Sequence, residues 1–113
     1  MPITNQQVAG HEFLRPMYDD TYFPDHVVDR GKAILLRLCE RIEGGQPSDL
    51  ETLYGLTQAA TEEFNLLDRE FVAAGSGIET VAREWICDDF CFVVSAYGFT
   101  DAEAEVLTAG RDW

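Results

Sequence analysis

The chain has 113 residues, of which 46% are hydrophobic and 12% aromatic, so it can bury a core and is not an intrinsically disordered chain. Its formal net charge of −13 disfavours nucleic-acid and anionic-membrane partners, because a negative surface repels phosphate groups. The sequence has no long apolar stretch and no signal-peptide pattern, and its three cysteines are an odd number, so we expect a cytoplasmic protein. The length predicts a single domain over residues 1–113, and the patterns described below predict that this domain is helical.

The first residues predict two short helices. Thr4 with Gln7 forms a capping-box pattern, and Gly10 is placed to end the helix that it starts. A second short helix is expected within residues 11–18, interrupted by Pro16.

Three long helices follow, at about 24–43, 49–74 and 78–97. Pro24 suits a first helical position because its missing N–H would be unpaired there, and Gly98 suits a stop. Apolar residues recur at helical spacing within each segment. The other boundary signals are capping boxes at Ser48/Glu51 and Thr100/Glu103 and glycine stops at Gly44–Gly45 and Gly75–Gly77.

Short turns between long helices favour antiparallel neighbours. The predicted fold is therefore all-α, an antiparallel helical bundle of three long helices plus short N- and C-terminal helices. No strand-like alternation, internal repeat or long linker is present in the sequence.

Asp89 is the one acidic residue that falls on a predicted apolar face. It lies in the middle of the buried side of the third long helix, whereas Glu84 and Asp88 fall on the opposite side. A buried carboxylate must pair with a cation, collect hydrogen bonds or stay protonated. The favoured interpretation is a structural acid tied to an arginine, a tyrosine or the backbone, and the alternative is a functional group.

Glu63 is a second candidate, at the edge of the apolar stripe of the second long helix. If packing brought Glu63 beside Asp89, the two carboxylates would suggest a metal site or a proton-sharing pair. The chain has no Glu-x-x-His pair of the kind that carboxylate bundles use for metals. No metal, no cofactor and no catalytic residue is therefore predicted.

Residues 18–26 mix acids, aromatics and a histidine. Tyr22, Asp25 and His26 could line a binding cleft in this loop, although loops rich in aromatics also simply pack. Together with Asp89 and Glu63 they complete the set of candidate binding residues.

Basic residues also show order, since Arg30, Arg37 and Arg41 share one stripe on the first long helix. We expect this stripe to pair with acids of the flanking helix rather than to form an exposed docking strip.

The sequence resembles an uncharacterised bacterial all-helical family, a domain of unknown function. The resemblance covers nearly the whole chain and implies no activity, substrate or catalytic residue. It rests on the stretches 23–26 (FPDH), 31–36 (GKAILL), 60–65 (ATEEFN), 79–84 (ETVARE), 96–99 (AYGF) and 111–113 (RDW).

The function is therefore not determined by the sequence, and three hypotheses stand. Residues 44–113 carry fourteen acidic and three basic side chains, which suggests a small acidic binding protein that engages a basic protein partner and is not an enzyme. The alternative is a small-molecule or metal-binding enzyme with a carboxylate-lined pocket in the bundle. A third is a homodimer with Leu36, Leu66 or Val94 in its seam.

Overall fold

The computed structural model describes residues 3–113, which form six helices and no strand. Met1 and Pro2, which belong to the predicted domain and to the segment searched for a signal peptide, lie outside the described residues. The predicted all-α fold of three long helices with short helices at both ends is confirmed. The helices are α1 (Gln6–Ala9), α2 (Arg15–Tyr18), α3 (Asp25–Gly45), α4 (Leu50–Ala73), α5 (Thr80–Ala96) and α6 (Ala104–Leu107).

Helices α3 and α4 form the most extensive helix pair, and they run antiparallel. Arg30 pairs with Glu70, whereas Arg37, further along α3, pairs with Glu63, which comes earlier on α4, at 3.2 Å. Arg41 Nη1 lies 3.8 Å from the same glutamate. The expected internal pairing of the arginine stripe is thus confirmed.

The remaining helices close the core around α5. The short helices α1 and α2 pack on α5, and α6 lies against both α4 and α5. Leu107 of α6 is buried, and its carbonyl accepts a hydrogen bond from the buried hydroxyl of Thr61 on α4. Trp113 is also buried and belongs to the same apolar cluster as Leu107. None of the helices within residues 3–113 is long and apolar enough to cross a bilayer.

None of the three predicted capping boxes is correct: two are wrong by one residue, and the third, at Thr100/Glu103, is not formed because α6 begins only after Glu103 and has no side-chain cap bond. The side chain of Asn5, not Thr4, accepts the N–H three residues ahead in α1, because Thr4 instead binds the Glu43 carboxylate. Asp49, not Ser48, caps α4 in the same way, since it directly precedes the first helical residue. Tertiary contacts and adjacency decide between neighbouring capping residues of similar propensity.

The predicted glycine stop of α3 is also wrong. Gly44 and Gly45 lie inside the helix, and the left-handed residue is Gln46, with φ of 45°. Gln46 precedes Pro47, and the residue before a proline is disfavoured in the α conformation, so the chain leaves the helix there. Gly75 and Gly98 do take positive φ, as stops after α4 and α5 require.

Candidate functional site

Asp89 is buried on α5, as its sequence position predicts, with 8% of its surface exposed. Its Oδ1 atom lies 2.8 Å from Nε2 of His11, and its Oδ2 accepts a hydrogen bond from the backbone N–H of Leu14 at 2.8 Å. Both carboxylate oxygens therefore have partners, which is what a carboxylate removed from water requires. The expected arginine or tyrosine partner is replaced by a histidine, and the expected backbone partner is present.

The segment between α1 and α2 is folded around this carboxylate. Leu14 has a left-handed backbone with φ of 56°, which is unfavourable for a leucine, and its side chain is fully buried. The His11 ring stacks on Phe92 at a centroid distance of 3.9 Å and makes a T-shaped contact with Phe13. Asp89 thus holds a strained turn and an aromatic cluster against α5.

Sequence analysis missed His11. The only signal was indirect: a buried acid needs a partner, and the chain has two histidines and eight Lys or Arg residues to supply one. His11 lies 78 positions from Asp89 in the chain, and no periodicity relates residues so far apart. His11 also borders a groove of about 490 Å³, whose other lining residues include Gln7 and Ser95.

Glu63 does not join Asp89. It faces α3, where it pairs with Arg37 and Arg41, whereas Asp89 faces the N-terminal segment. Glu63 therefore pairs with arginines, whereas Asp89 pairs with His11 and a backbone N–H. The site that two neighbouring carboxylates would have formed is absent. Within residues 3–113 no group of three or more His, Cys, Asp or Glu side chains could hold a metal ion.

Tyr22, Asp25 and His26 are all exposed. Asp25 and His26 lie in the first turn of α3 and are not among the residues that line a groove with Tyr22. Tyr22, at 44% exposure, makes a T-shaped ring contact with Phe23, which makes another with Trp85 on α5. Of the three loop candidates, the structure therefore places Tyr22 in a cleft.

We name that cleft the acidic-aromatic groove. It has a volume of about 320 Å³ and lies between the loop before α3 and the start of α5. Its carboxylates are Asp20 and Glu79, and its exposed apolar residue is Val81, at 54%. Its lining residues are Asp20, Tyr22, Phe23, Glu79, Thr80, Val81, Ala82 and Trp85.

The Glu43 carboxylate, near the end of α3, holds the residues that precede α1. It accepts hydrogen bonds from the backbone and hydroxyl of Thr4, from the backbone of Asn5 and, at 2.5 Å, from the Tyr97 hydroxyl. These bonds, the Tyr97 bond first, lower the pKa of Glu43 to about 2. Burial, followed by the bond to Glu43, raises the pKa of Tyr97 above its usual value. This cluster is structural, because its carboxylate is saturated by the chain itself.

Comparison with known families gives a match over nearly the whole chain. The model of a family of unknown function (DUF5713) matches residues 7–113. The chain belongs to this family. Comparisons with curated proteins and with solved structures gave no match. Because the family is one of unknown function, the observations that bear on function are the grooves and charges of the chain.

Proposed function

We propose that the chain is a small acidic binding protein of the bacterial cytoplasm that engages a basic segment of a protein partner. The observation that carries this proposal is the acidic-aromatic groove. Two carboxylates and aromatic surface share this groove, and no lysine, arginine or histidine is among the described residues that line it.

The groove has the chemistry that a lysine or arginine side chain requires. Such a side chain combines an apolar stem with a cationic head. The exposed Val81 and the half-buried Trp85 offer contact to the stem, and the tyrosine and tryptophan rings attract a cation by about 0.5–2 kcal/mol. Asp20 and Glu79 supply the opposite charge at the same place. A basic segment therefore fits better than an acidic or purely apolar one.

The charge of the surrounding surface supports the same partner. Glu84 and Asp88 are exposed on the outer side of α5, and residues 44–113 carry an excess of eleven acidic over basic side chains. An electrostatic field of one sign raises the rate of association with oppositely charged proteins. This increase in rate becomes smaller as the ionic strength rises.

The cytoplasmic location is supported by the cysteines. Cys39, Cys87 and Cys91 are free thiols, and Cys39 is fully buried. Burial raises the pKa of Cys39 to about 12, which keeps it unreactive. Free thiols are the usual state in a reducing compartment.

A second candidate function is that of a small-molecule enzyme. The observation that favours it is the pairing of His11 with Asp89 at the edge of the groove of about 490 Å³ that Gln7 and Ser95 also line. A carboxylate that orients an imidazole is the arrangement of a general base. The His11 side chain is 27% exposed, so a small molecule in that groove could reach it. In NMR titrations, ligand-induced shifts at His11 rather than at Trp85 would favour this candidate.

The binding proposal is tested with an array of short Lys- and Arg-rich peptides and fluorescence anisotropy of the best binder. The test variant combines Asp20→Asn with Glu79→Gln. The matched control combines Glu84→Gln with Asp88→Asn, which removes the same two charges from the outer side of α5. We expect the groove variant to weaken binding at least about tenfold and the control about threefold or less.

Salt provides the second readout. Because exposed charges are screened within about 10 Å at 0.1 M salt, binding should weaken strongly on going to about 0.5 M. Equal losses in the two variant pairs, or affinity that is indifferent to salt, would refute the groove as the binding site.

A further inference from the structure

A second surface differs in character from the rest of the molecule, and we define it as the α3–α4 face. It is a shallow groove of about 380 Å³ between the two longest helices. Leu66, which lies between Glu63 and Glu70 along α4, is one of its lining residues and has 59% of its surface exposed. Its lining residues are Arg30, Ala33, Ile34, Arg37, Glu63, Leu66, Leu67 and Glu70.

Of the three residues predicted for a self-association seam, the structure leaves one on an open surface. Val94 is 2% exposed and packs in the core, so its assignment to a seam is wrong. Leu36 is half-buried, and Leu66 is exposed. The pattern of α5 by itself does not include the elements that pack on this helix, which are α1, α2, α3 and α6.

The charges of the α3–α4 face are balanced although the protein is strongly acidic. Among its lining residues, Arg30 pairs with Glu70 and Arg37 with Glu63, so the face has a formal charge of zero on a chain of −13. Two copies of such a chain repel each other over most of their surface. They can approach closely only where negative charge is cancelled, and this face meets that condition.

We propose that the α3–α4 face is the interface of a homodimer, with a second copy of the chain as its occupant. On this face the two helices contribute opposite charges, arginines from α3 and glutamates from α4. A two-fold axis parallel to the helices places α3 of each copy over α4 of the other. Arg30 then faces the level of Glu70, and Arg37 the level of Glu63, while Leu66 of both copies fills the centre.

The size of the face supports this arrangement. Helices of 21 and 24 residues side by side present a face of roughly 30 by 20 Å, so a two-copy contact buries roughly 1,200 Å², the lower bound for a specific interface.

The test is sedimentation or native mass spectrometry of the full chain over a concentration series. We expect a dimer at about 100 µM, weakened at least about tenfold by Leu66→Glu. The matched control is Val72→Glu, which adds the same charge at a residue of 60% exposure on the same helix but outside the face. It should change the dissociation constant about threefold or less.

A charge swap gives the stricter readout. Arg37→Glu should leave a monomer, and adding Glu63→Arg in the same chain should restore the dimer, because the facing charges are opposite again. A wild-type chain that stays monomeric at about 0.5 mM, or equal effects of Leu66→Glu and Val72→Glu, would overturn the proposal. Peptide binding at the acidic-aromatic groove should be unaffected by Leu66→Glu, so the two proposals can fail separately.

Discussion

Replacing Asp89 by alanine tests whether its carboxylate holds the turn between α1 and α2 against α5. The substitution removes the acceptor of two contacts, the bond from the Leu14 backbone and the bond to His11, both at 2.8 Å. It also releases the turn in which Leu14 is held at a positive φ. We expect a large loss of stability without loss of helical content at low temperature.

The magnitude follows from the two contacts. A buried N–H left without an acceptor costs about 1–3 kcal/mol. Loss of the contact to His11, a side chain that is 27% exposed, adds about 1 kcal/mol because solvent screens the pair. The free energy of unfolding should therefore fall by about 2–4 kcal/mol, a large part of the 5–15 kcal/mol that a small domain has. The melting temperature should fall by roughly 10 °C.

The assay is urea unfolding followed by circular dichroism, with Asp88→Ala as the control. Asp88 is the neighbouring residue of the same type, but it is exposed, so its replacement should change stability by less than about 0.5 kcal/mol. If Asp89→Ala and Asp88→Ala were equally stable, the buried carboxylate would not be holding the turn. A double-mutant cycle with His11→Ala should give a coupling energy of about 1 kcal/mol between the two side chains.

Two further predictions concern α3. The pKa of Glu43 is lowered to about 2, so its hydrogen bonds stabilise the fold fully above the ordinary pKa of 4.5. This stabilisation is lost as the pH falls from 4.5 towards 2. The acid-unfolding curve of Glu43→Gln should lack this contribution, and a curve equal to that of the wild type would contradict the prediction. Gly31→Ala would place a Cβ atom 2.9 Å from the buried Leu14 side chain and should lower the free energy of unfolding by about 1–3 kcal/mol. Gly44→Ala, whose Cβ would have nothing within 4 Å, should raise the free energy of unfolding by about 0.5–1 kcal/mol. Thermal melts in which Gly31→Ala is the more stable variant would contradict the close approach at Gly31.

The sequence was sufficient for the three long helices because their signals are local. Apolar spacing of 3.6 residues, Pro24 at a helix start and Gly98 at a stop act within a few residues of one another. It was weaker at boundaries, as at Gln46, where the residue before Pro47 ends α3 and the two glycines do not.

For the candidate site, the sequence determined that Asp89 is buried and must be neutralised, because one charged residue interrupted an otherwise apolar helical face. Only the tertiary structure decided which residue neutralises it. His11 reaches Asp89 because the chain between α1 and α2 folds back over α5, and the position of that turn depends on packing by residues distant in sequence. The existence of the acidic-aromatic groove also depends on the tertiary structure, because its walls are a loop near Tyr22 and the start of α5, which are distant in sequence. The excess of negative charge that favours a basic partner, by contrast, is a property of the composition alone.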